Sequence, residues 1–266
     1  MPSTDRPFSA RLEAGWERAT EHLPLAAVPV ISSLASVDEV RRVLEFRDGA
    51  HFGLAFRFPP ALADVWTFVS LPNREPGVHV SPTLALLPVV ILVESVLLAG
   101  LLGSVREALE TGRYDFGENA RRYFAPVLVY QALVAVVGFA AFAVMAAVLP
   151  LAVVLIPAFI ALSYLFYAAP YLLVVADAGV EDALVRSYEW AVAGGPYLRF
   201  GVGYLLVVTA VSLVGTAVVV NLGALGVLVG AFASAPVALA LTFATAEFVA
   251  EMDREGMGTA GTDAGR

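Results

Sequence analysis

Glu94 is the one formally charged residue inside the apolar run from 82 to 103, which makes its carboxyl the first candidate for chemistry. Its helical neighbours Leu87, Val90, Ile91, Leu97, Leu98 and Leu101 are all apolar. A partner must therefore come from another helix. Gln131, Tyr167 and Thr209 fall at a similar depth when counted from the charged ends of their own apolar runs, about 12–14 Å at 1.5 Å per residue. The expectation is one polar layer of Glu94, Gln131, Tyr167 and Thr209, either a clasp that fixes helix register or a relay for protons or substrate. Other chemistry finds little support. Cysteine is absent, which removes thiolate nucleophiles and Cys-ligated metals. His22, His51 and His79 lie far apart and outside the strongest apolar runs. No H-E-x-x-H, G-x-S-x-G or lysine-bearing phosphate loop occurs. No catalytic, cofactor-binding or metal-binding residue is therefore assigned.

The elements that would position such a layer are legible from composition. The chain of 266 residues is 59% hydrophobic and 15% charged, against about 45–50% and about 25% in soluble domains. Residues 123–176 and 200–246 contain no Asp, Glu, Lys or Arg. Each block exceeds a single crossing, because about 20 residues span the hydrocarbon core. Breaks at Pro150 and at Asn221–Gly223 divide them. The expected fold is all-α: a polytopic transmembrane helical bundle of about six spans, near 23–37, 82–103, 123–148, 152–176, 199–220 and 224–247. A segment 1–22 would precede it and a polar, disordered tail 250–266 would follow. The first span is short and carries Pro24 and Pro29; a re-entrant segment there would leave five.

All sixteen basic residues are arginine. Four lie in 104–122 and two in 177–199, whereas the Pro150 and Asn221 turns have none. The positive-inside rule then puts both termini in the cytoplasm. The long loop 38–81 would lie outside despite its five arginines. Within it Phe52, Leu54, Phe56 and Phe58 alternate after Asp48-Gly49, which predicts a small external β-hairpin. Asp115 and Glu118 have capping-box form. Val180 to Ala193 reads as an amphipathic helix at the headgroup boundary, with Val180, Ala183, Leu184, Ser187, Tyr188 and Ala191 on one face and Trp190 and Tyr197 as interfacial anchors. Pro126, Pro157, Pro170 and Pro236 should kink their helices. Gly226-x-x-x-Gly230 permits close helix approach, within the chain, to a protein partner or in a homo-oligomer.

The net charge of −8 without lysine fits a GC-rich genome and high external salt, and argues against a nucleic-acid partner. The segment Asp177-Ala-Gly-Val-Glu-Asp-Ala-Leu-Val-Arg-Ser187-Tyr-Glu-Trp190 resembles the "acidic–Ala–Leu–x–Arg–Ser–aromatic" loop of an uncharacterised family of multi-span membrane proteins of halophilic archaea. More distantly it resembles the membrane domain of some glycerophosphodiester phosphodiesterases. Leu62 to Ser70 and Leu101-Leu-Gly103-Ser104 add to the likeness with the archaeal group. The resemblance implies a six-span helical fold in the cell membrane and no activity, since the phosphodiesterases' soluble barrel has no counterpart here. The functional expectation is a non-enzymatic structural or assembly component of the membrane, with a transporter or permease subunit as the alternative. Its expected surroundings are the lipid bilayer, with no cofactor.

Overall fold

The computed structural model describes residues 6–47, 49–72, 82–148 and 152–263, and among them no strand occurs. The helices are α1 (Phe8–Glu21), α2 (Ala27–Ala35), α3 (Val37–Glu45), α4 (Pro82–Thr111) and α5 (Phe116–Ala147). They continue with α6 (Ala152–Phe166), α7 (Ala169–Val175), α8 (Val180–Ala193), α9 (Pro196–Asn221) and α10 (Gly223–Asp263). Five stretches are long and apolar enough to cross a bilayer: Leu86–Thr111, Phe116–Val144, Val153–Val175, Pro196–Asn221 and Gly223–Gly256. A sixth is completed if Leu23–Ala35 and Val37–Glu45, which meet at 59°, form one broken crossing. The chain is a multi-pass, all-helical membrane protein.

Local chemistry explains the boundaries. Asp115 starts α5 by accepting the Glu118 N–H at 2.9 Å. The Asp115 N–H itself donates to Glu107 of α4, so the expected capping box closes through a neighbouring helix instead of through Glu118. The α9–α10 turn uses Gly223 at φ +58°, a conformation open to glycine without a Cβ penalty. Between α6 and α7 the helix opens at Tyr167 and Ala168. Pro170 lacks an N–H, and its ring clashes with the carbonyl four residues back. Pro88, Pro126, Pro157 and Pro236 sit inside continuous helices instead.

The connections sort into two ends. One gathers Arg11 of α1, Arg106 of α4 and Arg186 of α8, paired with Glu251 of α10, Asp177 of the α7–α8 connection and Asp253 of α10. At the other lies the α9–α10 turn, where Asn221 exchanges hydrogen bonds with the His51 backbone. From His51 the chain enters the bundle along α9. Ala55 meets Thr209 and Ser212, and the Phe58 ring reaches Gly201. Phe68 and Ser70 lie back at Gly215 and Thr216. Asn221 to Gly201 is about 30 Å of helix at 1.5 Å per residue, so residues 51–70 form an inserted loop whose one regular element is the 3-10 turn Val65–Phe68.

Several expectations are corrected here. No external β-hairpin occurs among the described residues: 37–45 is helix α3, and 51–60 is extended but unpaired with another strand. The alternation was real but had another cause, because Phe52 and Phe56 point outward while Ala55 is buried against α9. The first apolar segment, expected as a span at 23–37, continues after a 59° bend as helix to Glu45, a pair that is either one broken crossing or a re-entrant loop. The tail expected to be disordered begins as helix: α10 continues past residue 250, with Glu251 and Asp253 buried. Segment 1–22 contains α1, packed on α10. The Pro150 turn and Asp48 of the proposed hairpin turn lie outside the described residues.

Small residues set the helix contacts. Gly15 of α1 lies against the Ala240 carbonyl and Ala244 of α10, and Gly103 of α4 against Asn119 and Tyr123 of α5. Gly226 and Gly230 pack on Val218 and Val219 of α9, so this pair serves contacts within the chain. Gly15→Ala should push a methyl into the Ala240 backbone and cost about 1–3 kcal/mol. Gly138→Ala, facing open space, should be neutral or slightly stabilising through helix propensity. Thermal unfolding of both variants in detergent checks this; equal melting points contradict the packing.

Candidate functional site

Polar side chains within the bundle fall into two groups, and the first surrounds the inserted loop. Thr209, Ser212, Thr216 and Asn221 follow one another at intervals of three to five along α9 and offer the loop a polar stripe. Thr209 Oγ1 donates to the Ala55 carbonyl at 3.2 Å and Ser212 Oγ accepts the Ala55 N–H at 3.0 Å. Thr216 Oγ1 accepts the Ser70 N–H at 2.9 Å. From α2, Ser33 Oγ accepts the Val65 N–H at 3.0 Å, and its carbonyl receives the Trp66 indole at 2.9 Å. Asp64 accepts from the Trp66 N–H and the Ser32 hydroxyl, and so caps the turn Val65–Phe68. Tyr171 donates to the Pro60 carbonyl at 3.2 Å. Non-helical backbone at membrane depth persists only with such protein partners.

The α6–α7 break has its own set. Ser187 Oγ of α8 reaches the Leu165 carbonyl at 2.9 Å, and the Tyr197 hydroxyl reaches the Tyr164 carbonyl at 3.1 Å. Tyr167 donates to the Tyr197 carbonyl at 2.7 Å, and their rings stack at 4.1 Å. The hydroxyls of α8 and α9 thus serve carbonyls beside the point where Pro170 interrupts the ladder. The amphipathic α8 has the expected bounds, but Ala183, Ser187 and Ala191 face the protein, leaving Val185, Tyr188 and Val192 exposed.

The second group is the arginine-rich end. Arg11, 1% exposed, pairs with Glu251 at 2.6 Å, and its guanidinium lies over the Phe248 ring. Arg6 pairs with Glu247 at 3.0 Å, and Arg186 pairs with Asp253. Arg106 bonds Glu110, Tyr123, the Val174 carbonyl and Asp177 at 2.6–3.0 Å. Asp177 stands at φ +49°, a left-handed conformation that Asp tolerates better than most residues, and Arg122 also approaches it. Partial burial works against the charged carboxyl of Asp177. The hydrogen bond from Arg106 and the nearby guanidinium charges outweigh it and hold Asp177 below its usual pKa range.

The expected polar layer is not assembled. Glu94 is exposed on the outward face of α4, between Val93 and Val96, and neither it nor Gln131 makes a side-chain hydrogen bond among the described residues. Tyr167 bonds Tyr197, and Thr209 bonds Ala55 and its own helix. Depth alone could align the four; helix rotation and the break at Tyr167 decided otherwise. What sequence reasoning missed was the stripe on α9, although its spacing could have been read as one helix face. Among the described residues no group of three or more His, Asp or Glu side chains is placed to hold a metal ion. Fold and site together define a multi-pass helical membrane protein with hydroxyl-clasped irregular segments. Comparison with known proteins finds no matching family model, no similar curated protein and no similar solved structure.

Two predictions follow from the charged end. Arg11→Ala should cost about 3–5 kcal/mol because it strands Glu251, whereas Arg11→Met with Glu251→Leu should recover most of the loss. Melting of the single and double variants decides it. Asp177 has a folded pKa below the ordinary 3.8, so its stabilisation is whole above that value and is lost as pH falls through the folded pKa. Asp177→Asn, which tolerates the same turn, should flatten the acid limb of melting temperature against pH below about pH 4. A limb unchanged in the variant would remove Asp177 as its source.

Proposed function

We propose that this protein is a non-enzymatic integral component of the cell membrane with a structural or assembly role and both termini in the cytoplasm. The observation that carries the reading is the use made of its intramembrane hydroxyls. Those of Ser33, Thr209, Ser212, Thr216, Tyr167, Tyr171 and Tyr197 bond backbone groups of irregular segments or helix breaks. Groups so engaged hold a shape, and they would have to release their partners before serving a moving substrate. The arginine-rich end supports the orientation through the positive-inside rule.

A transporter or permease subunit is the second reading, and one feature favours it. A helix pair bent at Ser36 lies beside an inserted irregular loop, and discontinuous helices with irregular backbone frequently form transport sites. Glu94, an acid at membrane depth, would be its titrating group. Reconstitution of the purified protein in liposomes distinguishes the two. The structural reading expects proton, sodium, potassium and chloride flux equal to that of protein-free liposomes. Flux above that baseline that disappears in Glu94→Gln would replace it with transport.

A further inference from the structure

Between α1, α4 and α10 at the arginine-rich end lies a cavity of about 410 Å³, within the range of about 300–1,000 Å³ typical of small-molecule sites. Arg18, Arg106 and Arg254 line it, together with Glu110, Glu247 and Asp253. The formal charges balance, but the pairings do not. Glu110 is held by Arg106, Glu247 by Arg6 and Asp253 by Arg186. Arg106 is further occupied by Asp177, Tyr123 and a backbone carbonyl. Arg18 differs: among the described residues its guanidinium has no partner. Arg254 spends only Nε, on the Ala250 carbonyl of its own helix. Two guanidiniums therefore border the cavity with donors to spare.

We infer that this cavity binds a phosphate ester. Arg18 and Arg254 take the phosphoryl oxygens, since a planar guanidinium fork matches that oxyanion. The ester's carbon chain lies against the apolar part of the wall, Leu109, Val175 and Ala250. A bare phosphate covers none of that wall, so an ester is favoured over inorganic phosphate. Residue 247 is the first charge after the uncharged block 200–246. The cavity thus opens where a bilayer presents its phosphate headgroups, and basic pockets between membrane helices recognise such groups. The same chemistry is offered by a lipid headgroup and by a soluble phosphate ester.

The test uses the full chain in uncharged detergent with three probes: inorganic phosphate, O-phosphoethanolamine and dioctanoyl phosphatidylethanolamine. Binding is read by native mass spectrometry and by the rise in melting temperature that a native-state ligand produces. Saturable binding of O-phosphoethanolamine is expected, weakened about tenfold in each of Arg18→Ala and Arg254→Ala and unchanged in Arg113→Ala. Unliganded melting points of these variants check that each remains folded. Tighter binding of the lipid than of O-phosphoethanolamine identifies the bilayer as the source, and equal binding identifies a soluble ester; both support the site. Three results overturn the proposal: no saturable binding of either ester, binding indifferent to loss of both arginines, or inorganic phosphate bound as tightly as the esters by the unaltered protein.

Discussion

Backbone N–H and carbonyl groups inside a bilayer cannot turn to water, and the architecture follows from how this chain meets that requirement. Its helices satisfy themselves. The loop from His51 to Ser70 cannot, because outside the 3-10 turn Val65–Phe68 its backbone is irregular, and no neighbouring strand accompanies it among the described residues. Ser33 of α2, Tyr171 of α7 and the stripe Thr209, Ser212, Thr216 and Asn221 of α9 supply the missing partners. The positions of α2, α7 and α9 around the loop are thereby tied to one another. Removing the loop would leave these hydroxyls facing a void, and removing the hydroxyls would leave the loop with unpaired amides.

The same economy operates at the α6–α7 break. Pro170 interrupts the helical ladder where α8 and the start of α9 can reach it. Ser187 and Tyr197 bond the carbonyls of Leu165 and Tyr164. Ala183 and Ala191, with side chains small enough for close approach, bring α8 near enough for this contact. The segment 177–190 thus has structural work: Ala183 packs, Arg186 pairs with Asp253 of α10, and Ser187 serves the broken helix.

α10 joins the two polar regions. Its apolar length packs against α1, α2, α7 and α9, and beyond it Glu247, Glu251 and Asp253 meet Arg6, Arg11 of α1 and Arg186 of α8. Salt bridges this shielded are weak evidence of net stability, but breaking one partner is costly. They fix which helices meet. In this acidic chain of net charge −8, Glu247, Glu251 and Asp253 of α10 each gain an arginine at that end, and among the described residues Arg18 and Arg254 retain free donors.

Composition alone determined the class. Two long charge-free blocks cannot be solvated and cannot be single helices, so membrane crossings and the turn at Asn221–Gly223 were legible without coordinates. The bounds of α8 were legible too, because an amphipathic period is a local property. The alternation of Phe52 to Phe58 was also visible, but period-two patterning reports only that the backbone is extended, and the partner of an extended segment lies elsewhere in the chain. Whether that partner would be a second strand or a helix bearing hydroxyls was decided by tertiary contact. Glu94, Gln131, Tyr167 and Thr209 failed as a layer for the same reason. Sequence gives depth along each helix, whereas meeting across helices depends on the rotation of each about its axis. That rotation is set by where Gly15, Gly103 and Gly226 let neighbouring backbones approach.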